Sequence, residues 1–261
     1  MKRYAHAAGF TVVEVMIVLA VTGGLFLAIA ATMTGRQRSN EFVQAVQDVR
    51  AQIQQTISEV QSGYYTNDQN LSCTAGGSGP FLSATPVDRG SNVDCLYLGN
   101  VMQFAIKDTD PQEYRVYSVV GVRSGTDLAS AQPKLLTDPS GTDNGKSFTL
   151  KYGLKAVAMR AGPSNAGAFA VLSSLDDASS DSSGTQQIDV YSLTPSMLNA
   201  PLGGLVGQIN SALGSPTKNP AGGIRICFEG GSKQFGLVTI GGSGRQLSVD
   251  LRIMTLSNCG I

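Results

Sequence analysis

The sequence predicts an α+β protein, with one long N-terminal α-helix packed on an antiparallel β-sheet head. Three observations predict it. The uncharged run Val15 to Gly35 has the length of a membrane-crossing helix, about 20 apolar residues. Apolar residues then recur at Phe42, Val46, Val49, Ile53, Ile57 and Val60, the spacing of one helix face. Near the C-terminus, three short strand-like segments, the first and last alternating apolar with polar residues, are divided by Gly-rich turns, the pattern of a strand meander.

Composition narrows the function classes. Asp, Glu, Lys and Arg make up 15% of the 261 residues, against about 25% in an average protein. Nineteen basic residues balance nineteen acidic ones, so bulk charge cannot hold this chain to DNA or RNA. An apolar content of 42% excludes a fully disordered chain. Four Cys and a single His leave little material for metal chemistry.

The N-terminal run is flanked by Lys2 and Arg3 on one side and by Arg36 and Arg38 on the other. Counting these charges does not choose an orientation. A secretory signal peptide is the competing reading. Ala28-Ile29-Ala30 fits its cleavage pattern, and Gly23-Gly24 could break its apolar helix. Its apolar stretch is shorter, however, at about 7–15 residues. Glu14 also argues against it. A central Asp costs about 2.5–3.5 kcal/mol to insert, and an acid inside a membrane segment calls for a named partner. The plainer alternative is a Glu14 that reaches up to the interface.

The block Gly9-Phe10-Thr11-Val12-Val13-Glu14-Val15-Met16-Ile17-Val18-Leu19-Ala20 resembles the start of type IV prepilins and type II secretion pseudopilins. The resemblance implies a pilin-like fold and a short basic leader, residues 1–9, that ends in Gly9. It implies a prepilin peptidase that cuts the Gly9–Phe10 bond and methylates the new N-terminus on Phe10. It implies that Glu14 meets the N-terminal ammonium of a neighbouring subunit. Charges that are costly alone in lipid offset each other when paired across subunits. The implied partners are the peptidase, other pilin or pseudopilin subunits, an inner-membrane assembly platform and membrane lipid. The resemblance stops at the helix.

If Phe10 to Ser62 form one helix, it spans about 80 Å at 1.5 Å per residue. Residues 10–35 then form the transmembrane and polymerisation half, and 36–62 the amphipathic half, with Gly63 as the stop. Coiled-coil pairing is the alternative use of the second stripe. Gly23-Gly24 weaken the first half by about 1 kcal/mol each, where the family tends to loosen its helix in a filament.

Residues 63–261 read as a β-rich extracytoplasmic head. Gly76 to Pro80 is a loop. Gly99-Asn100 lies between Leu96-Tyr97-Leu98 and Val101 to Phe104, which signals a two-residue hairpin. Tyr114 to Val122 and Phe148 to Val157 are strand candidates, and Ile188 and Val190 begin another. The Ser- and Asp-rich stretch from Ser173 to Thr185 is a solvated loop. Leu198, Leu202, Leu205, Ile209 and Leu213 have helical spacing that Pro201, Gly203, Gly204 and Gly207 interrupt. The final meander is Ile224 to Glu229, Gln234 to Ile240 and Leu247 to Met254, with one wet face.

His6 falls within the leader, so the mature chain would have no Ser-His or Cys-His pair and no His ligand. No catalytic residue, metal site or cofactor is assigned, and no enzyme activity is expected. Cys73, Cys95, Cys227 and Cys259 lack C-x-x-C spacing, which argues against zinc. In an exported head, their even number favours two disulfides. Three connectivities are open, and Cys73–Cys95 with Cys227–Cys259 closes the shortest loops. Against this pairing, Cys227 falls on the polar face of its strand, and four reduced, buried Cys are the alternative. Gly141 to Ser147 resembles a P-loop one residue short, with a strand after it where phosphate needs a helix. Ser215-Pro216-Thr217-Lys218 fits S-x-x-K without its companion motifs. Asp176, Asp177 and Asp181 could offer oxygen to Ca²⁺, as some pseudopilin head loops do, but not at EF-hand spacing; a solvated loop is the simpler reading.

These readings lead to a structural subunit of a type IV pilus-like filament, anchored in the membrane with its head outside the cytoplasm. The large head favours a minor pilin over the main fibre subunit. The alternative within the family is a minor pseudopilin of a type II secretion system. Outside that class, a membrane-anchored extracellular enzyme or a displayed adhesin has less support, because no complete catalytic motif is present.

Overall fold

The structure is a computed structural model. It describes residues 11–63, 71–76, 79–86, 95–106, 112–122, 132–138, 145–174, 187–193, 206–214, 217–218, 220–231, 234–241, 247–254 and 259. The chain divides into two compact units, Met1–Glu41 and Phe42–Ile261. Helix α1 (Val12–Ser62) contributes to both. It stops where the sequence places its breaker: Gly63 has φ +62, a left-handed conformation that glycine adopts without strain.

The first unit is helical from Val12 onward, including Gly23-Gly24. The second unit is an α+β head. Strands β1 (Leu71–Gly76) and β2 (Gly79–Pro86) form a two-stranded sheet. β3 (Cys95–Phe104), β4 (Glu113–Val122), β5 (Gln132–Leu135), β6 (Lys146–Thr149), β9 (Ala168–Ser174), β10 (Gln187–Leu193) and β11 (Thr217–Lys218) build a seven-stranded sheet. Its order is β11-β10-β9-β3-β4-β5, with β6 beside the other half of β4. β7 (Lys155–Ala161), β8 (Ser164–Asn165), β12 (Ile224–Glu229), β13 (Phe235–Gly241) and β14 (Ser248–Met254) form a five-stranded sheet in the order β14-β13-β12-β7-β8. All pairings within these sheets are antiparallel. A short helix α2 (Val206–Leu213) completes the head.

The main core joins the stripe Phe42, Val46, Val49, Ile53, Ile57 and Val60 of α1 to residues of both large sheets, among them Met102, Phe169, Val190, Ile226 and Val238. All six stripe residues are buried, and each stabilises the fold by about 1.5–3 kcal/mol before entropy. Burial in the head overturns the coiled-coil alternative, since this face is already occupied. Two glycines make its seat. A Cβ on Gly236 would stand 3.2 Å from both Val46 γ-carbons and 3.4 Å from Phe42 Cζ, and one on Gly230 would strike the Phe42 ring. A second cluster lies around α2, where Ile209, Ala212 and Leu213 meet Leu98, Val101, Tyr117 and Leu172.

Both disulfides form, Cys73–Cys95 and Cys227–Cys259. The first ties the small hairpin to β3, and the second ties the C-terminal segment to β12. Cys227 does face away from the main core, as its alternation indicates. That face is not wet there: Cys227, Phe235, Leu237 and Cys259 form a separate buried cluster. The four reduced Cys of the alternative are therefore not found.

Several expectations are corrected. Gly99-Asn100 is not a turn. β3 runs straight through it, with a register shift between Tyr97 and Gly99. Glycine within a strand marks a bulge or a close backbone approach, and Gly99 lies against Val171. The single strand expected over Phe148 to Val157 is two strands in different sheets. They are parted by a 3₁₀ turn, Lys151–Gly153, where Tyr152 takes φ 55. Buried Leu150 and Leu154 anchor this turn on either side. Gly76 and Gly79, expected in a loop, pair at the end of β1 and β2. Ser173 and Ser174 belong to β9, and the rest of the expected loop, 175–185, lies outside the described residues. The broken helical pattern yields α2 only from Val206 onward, and Leu198, Leu202 and Leu205 lie outside the described residues.

Candidate functional site

The described start of α1 is a defined cap. Thr11 precedes the helix, its carbonyl accepts the Val15 amide at 3.2 Å, and its Oγ1 accepts the Glu14 amide at 3.3 Å. Thr-Val-Val-Glu is therefore a helix-start signature, Ser/Thr at the cap and Glu three residues on. Sequence reasoning passed over Thr11, although this T-x-x-E signal before an apolar run was available. In lipid the cap matters more than in water, because an unpaired amide there costs several kcal/mol.

Glu14 stands exposed in the first turn. A carboxylate at that end of a helix opposes the positive pole of its dipole. Around it the surface is apolar. Val12–Ile29 has a mean hydropathy of 2.5 and is 0% buried. Exposure reaches 78% at Phe26 and 75% at Leu27. Of fourteen exposed large hydrophobic side chains among the described residues, twelve lie in this span. Concentrated exposure of this kind marks a membrane or protein contact, whereas scattered single residues do not. The Thr22 hydroxyl donates to the Val18 carbonyl at 2.7 Å, so it needs no water. A Cβ on Gly23 or Gly24 would meet nothing within 4 Å. Gly9, Phe10 and His6 lie outside the described residues.

Several charged groups of the described head residues are engaged in structure. Asp189 on β10 is fully buried, and its Oδ2 lies 2.9 Å from Lys218 Nζ on β11. The lysine of the S-x-x-K match thus neutralises a buried carboxylate. Lys146-Ser147, at the end of the P-loop-like stretch, lies in β6. Lys151 Nζ contacts Asp48 Oδ2 at 3.1 Å. Burial, and then the Asp48 charge, push the Tyr114 hydroxyl up to about 12. Tyr114 belongs to an aromatic stack with Phe104 and Phe148, at ring separations of 5.0 and 5.1 Å. Among the described residues no group of three or more His, Cys, Asp or Glu could hold a metal ion. Asp176, Asp177 and Asp181 lie outside the described residues.

The molecule therefore offers a capped, exposed apolar helix start bearing one acid, and a disulfide-tied β head. Disulfides persist in oxidising compartments, which points to a head outside the cytoplasm, and the apolar helix can serve as a membrane anchor or a signal. Comparison with protein-family models, with curated proteins and with solved structures found no match.

Proposed function

We propose that this chain is a structural subunit, a minor pilin of a type IV pilus-like filament, assembled through its N-terminal helix. Prepilin peptidase cuts the Gly9–Phe10 bond and methylates Phe10. Glu14 then receives the N-terminal ammonium of a neighbouring subunit. Membrane lipid holds the apolar span before assembly, and the assembly platform passes it to other pilin subunits. The observation that carries this reading is the distribution of apolar residues on α1. Val12–Ile29 is wholly exposed and carries Glu14 at its start, while the stripe from Phe42 to Val60 is buried in the head. A helix divided in this way supports a head and leaves its first half for lipid or neighbouring subunits. A minor pseudopilin would share every one of these steps, and the genes beside this one separate the two machines.

Intact-mass measurement and N-terminal sequencing of membrane-extracted protein test the proposal. The expected product begins at N-methylated Phe10. Gly9→Leu should leave the precursor uncut in the membrane. A mature chain beginning at Ala31 would defeat the filament reading and establish the signal peptide.

A further inference from the structure

On the five-stranded sheet, Met159 and Ala161 of β7 and Ile224 and Ile226 of β12 belong to the main core. Side chains alternate between the faces of a strand, so Arg160 and Arg225 stand on the opposite, outer face. They are direct partners in the β7–β12 ladder, where Cβ atoms lie about 4.5–5.5 Å apart. Both are partly exposed. Like charges directly opposite each other destabilise a sheet, and an acid beside them would cancel the effect. Among the described residues no carboxylate is ion-paired with either arginine. Their neighbours in the same row across the sheet are neutral: Asn165 on β8 beside Arg160, and Thr239 on β13 beside Arg225. Asp250 on β14 comes next. Thr239 parts it from Arg225, and its Oδ2 lies 3.5 Å from the Ser248 hydroxyl.

The Arg225 guanidinium is fixed in place and short of partners. Its Nη2 donates to the Gly162 carbonyl at 2.8 Å, in the turn that joins β7 to β8. Its Nε is buried and has no hydrogen-bond partner. A charge partly removed from water is costly unless an opposite charge meets it. Nothing among the described residues bonds the Arg160 side chain, so its planar fork of N–H donors stays available.

Two guanidiniums side by side carry two positive charges. A carboxylate brings one negative charge and satisfies one fork. A phosphate dianion brings two charges and three strong acceptor oxygens, enough for both forks. The Thr239 hydroxyl and the Asn165 amide add neutral donors on either side of the pair.

We infer that Arg160 and Arg225 form a binding site for a phosphate dianion on the outer face of the five-stranded sheet, with Thr239 and Asn165 at its margins. The phosphate is free, or it is the terminal monoester of a larger molecule; both present the same oxygens. It takes the exposed ends of the guanidiniums, leaves the bond to Gly162 intact, and cancels the repulsion that the pair otherwise carries. The site lies wholly within the head and does not depend on how the N-terminus is processed.

The test is calorimetric titration of the full chain in detergent micelles at low ionic strength and about pH 8, where a phosphate monoester is a dianion. The ligands are inorganic phosphate, glycerol 3-phosphate and acetate. Phosphate should bind at one saturable site, and acetate about tenfold more weakly or less. Arg160→Gln leaves no partner unpaired. It should weaken phosphate binding about tenfold or more, as expected for lost charged hydrogen bonds, and it should raise the Tm in phosphate-free buffer because the repulsion is gone. Phosphate should raise the Tm of wild type but not of this variant. Lys134→Gln removes one positive charge from the seven-stranded sheet and should leave the affinity unchanged. Glycerol 3-phosphate binding as tightly as inorganic phosphate assigns an esterified ligand, and binding of inorganic phosphate alone assigns the free anion. No saturable binding, acetate binding equal to phosphate, Arg160→Gln at wild-type affinity or with a lowered Tm, or an equal loss in Lys134→Gln would each overturn the inference.

Discussion

Replacing Gly99 with Ala should damage the head more than its small size suggests. Gly99 lies inside β3, opposite Leu172 of β9 on one side and Val119 of β4 on the other. Its φ is +153, which L side chains rarely adopt. A Cβ there would run into the Val171 carbonyl oxygen and stand 3.0 Å from Leu172 Cα and Val171 C. All three are backbone atoms, so no rotamer change can relieve the clash. The sheet must part between β3 and β9. Overpacking of this kind costs about 1–3 kcal/mol, and each weakened ladder hydrogen bond about 0.5–1.5 kcal/mol more. A loss of about 2–4 kcal/mol follows, or a Tm lower by about 4–16 °C at 2–4 °C per kcal/mol for a domain of roughly this size. Gly153→Ala is the control. Gly153 has φ +70 with nothing within 4 Å of its built Cβ, so only the left-handed backbone cost of about 1–2 kcal/mol applies. Thermal and urea unfolding of the full chain in detergent, followed by tyrosine fluorescence because the chain has no Trp, compares the two. If Gly99→Ala is the milder change, the close approach of β9 is wrong and the hairpin reading of Gly99-Asn100 returns.

Glu14→Gln should leave membrane level intact while filament incorporation falls a hundredfold or more, since an unpaired buried ammonium costs about 3–5 kcal/mol; incorporation at wild-type level would refute the pairing. Cys227→Ala combined with Cys259→Ala should lower head stability by about 3–4 kcal/mol for a bridge spanning 32 residues, and thiol labelling of denatured, unreduced wild type should find no free Cys. Tyr114 has a pKa raised to about 12 against about 10 unfolded, so its stabilising effect is complete below pH 10 and fades as pH rises through 12. The loss is at most about 2–3 kcal/mol. Tyr114→Phe, which keeps the ring stack, should flatten the stability curve between pH 10 and 12, and parallel curves for variant and wild type would refute this.

The parts legible in the sequence are those where one face is buried and the other wet. The α1 stripe and the final meander show their periods because Gln47 or Asp250 sits where water is. β9 escaped notice for the opposite reason. Ala168 to Leu172 are all buried, so Ala-Phe-Ala-Val-Leu shows no alternation to read. Phe148 to Val157 looked continuous because buried Leu150 and Leu154 carry the apolar pattern across the turn, with Gly153 as its only mark. Glycine was ambiguous at Gly99, where it permits an approach of strands that no local pattern encodes. Cys227 looked solvent-facing because the covering partner, Cys259, is supplied by residues far along the chain. At the candidate site, Glu14 stood out through its cost in lipid, whereas Thr11 acts through a hydroxyl on one amide and leaves no trace in hydropathy.

The two readings of the N-terminus differ in what they remove. A chain cut before Ala31 would lose Thr11, Glu14 and all twelve exposed hydrophobic residues of Val12–Ile29. It would keep Phe42 to Val60, the two glycines that seat them and both disulfides. Head stability is therefore blind to the choice, because everything that holds the head together lies beyond the alternative cut. A stable, disulfide-bonded head would fit either history. The exposed span is the discriminating feature. At about 25 cal/mol per Å² of apolar surface, twelve large side chains cannot remain in water without driving association or insertion. A mature chain that retains them must be found with lipid or with other subunits. Finding the Phe10 product as a free monomer in detergent-free solution would contradict the burial demanded by its own surface.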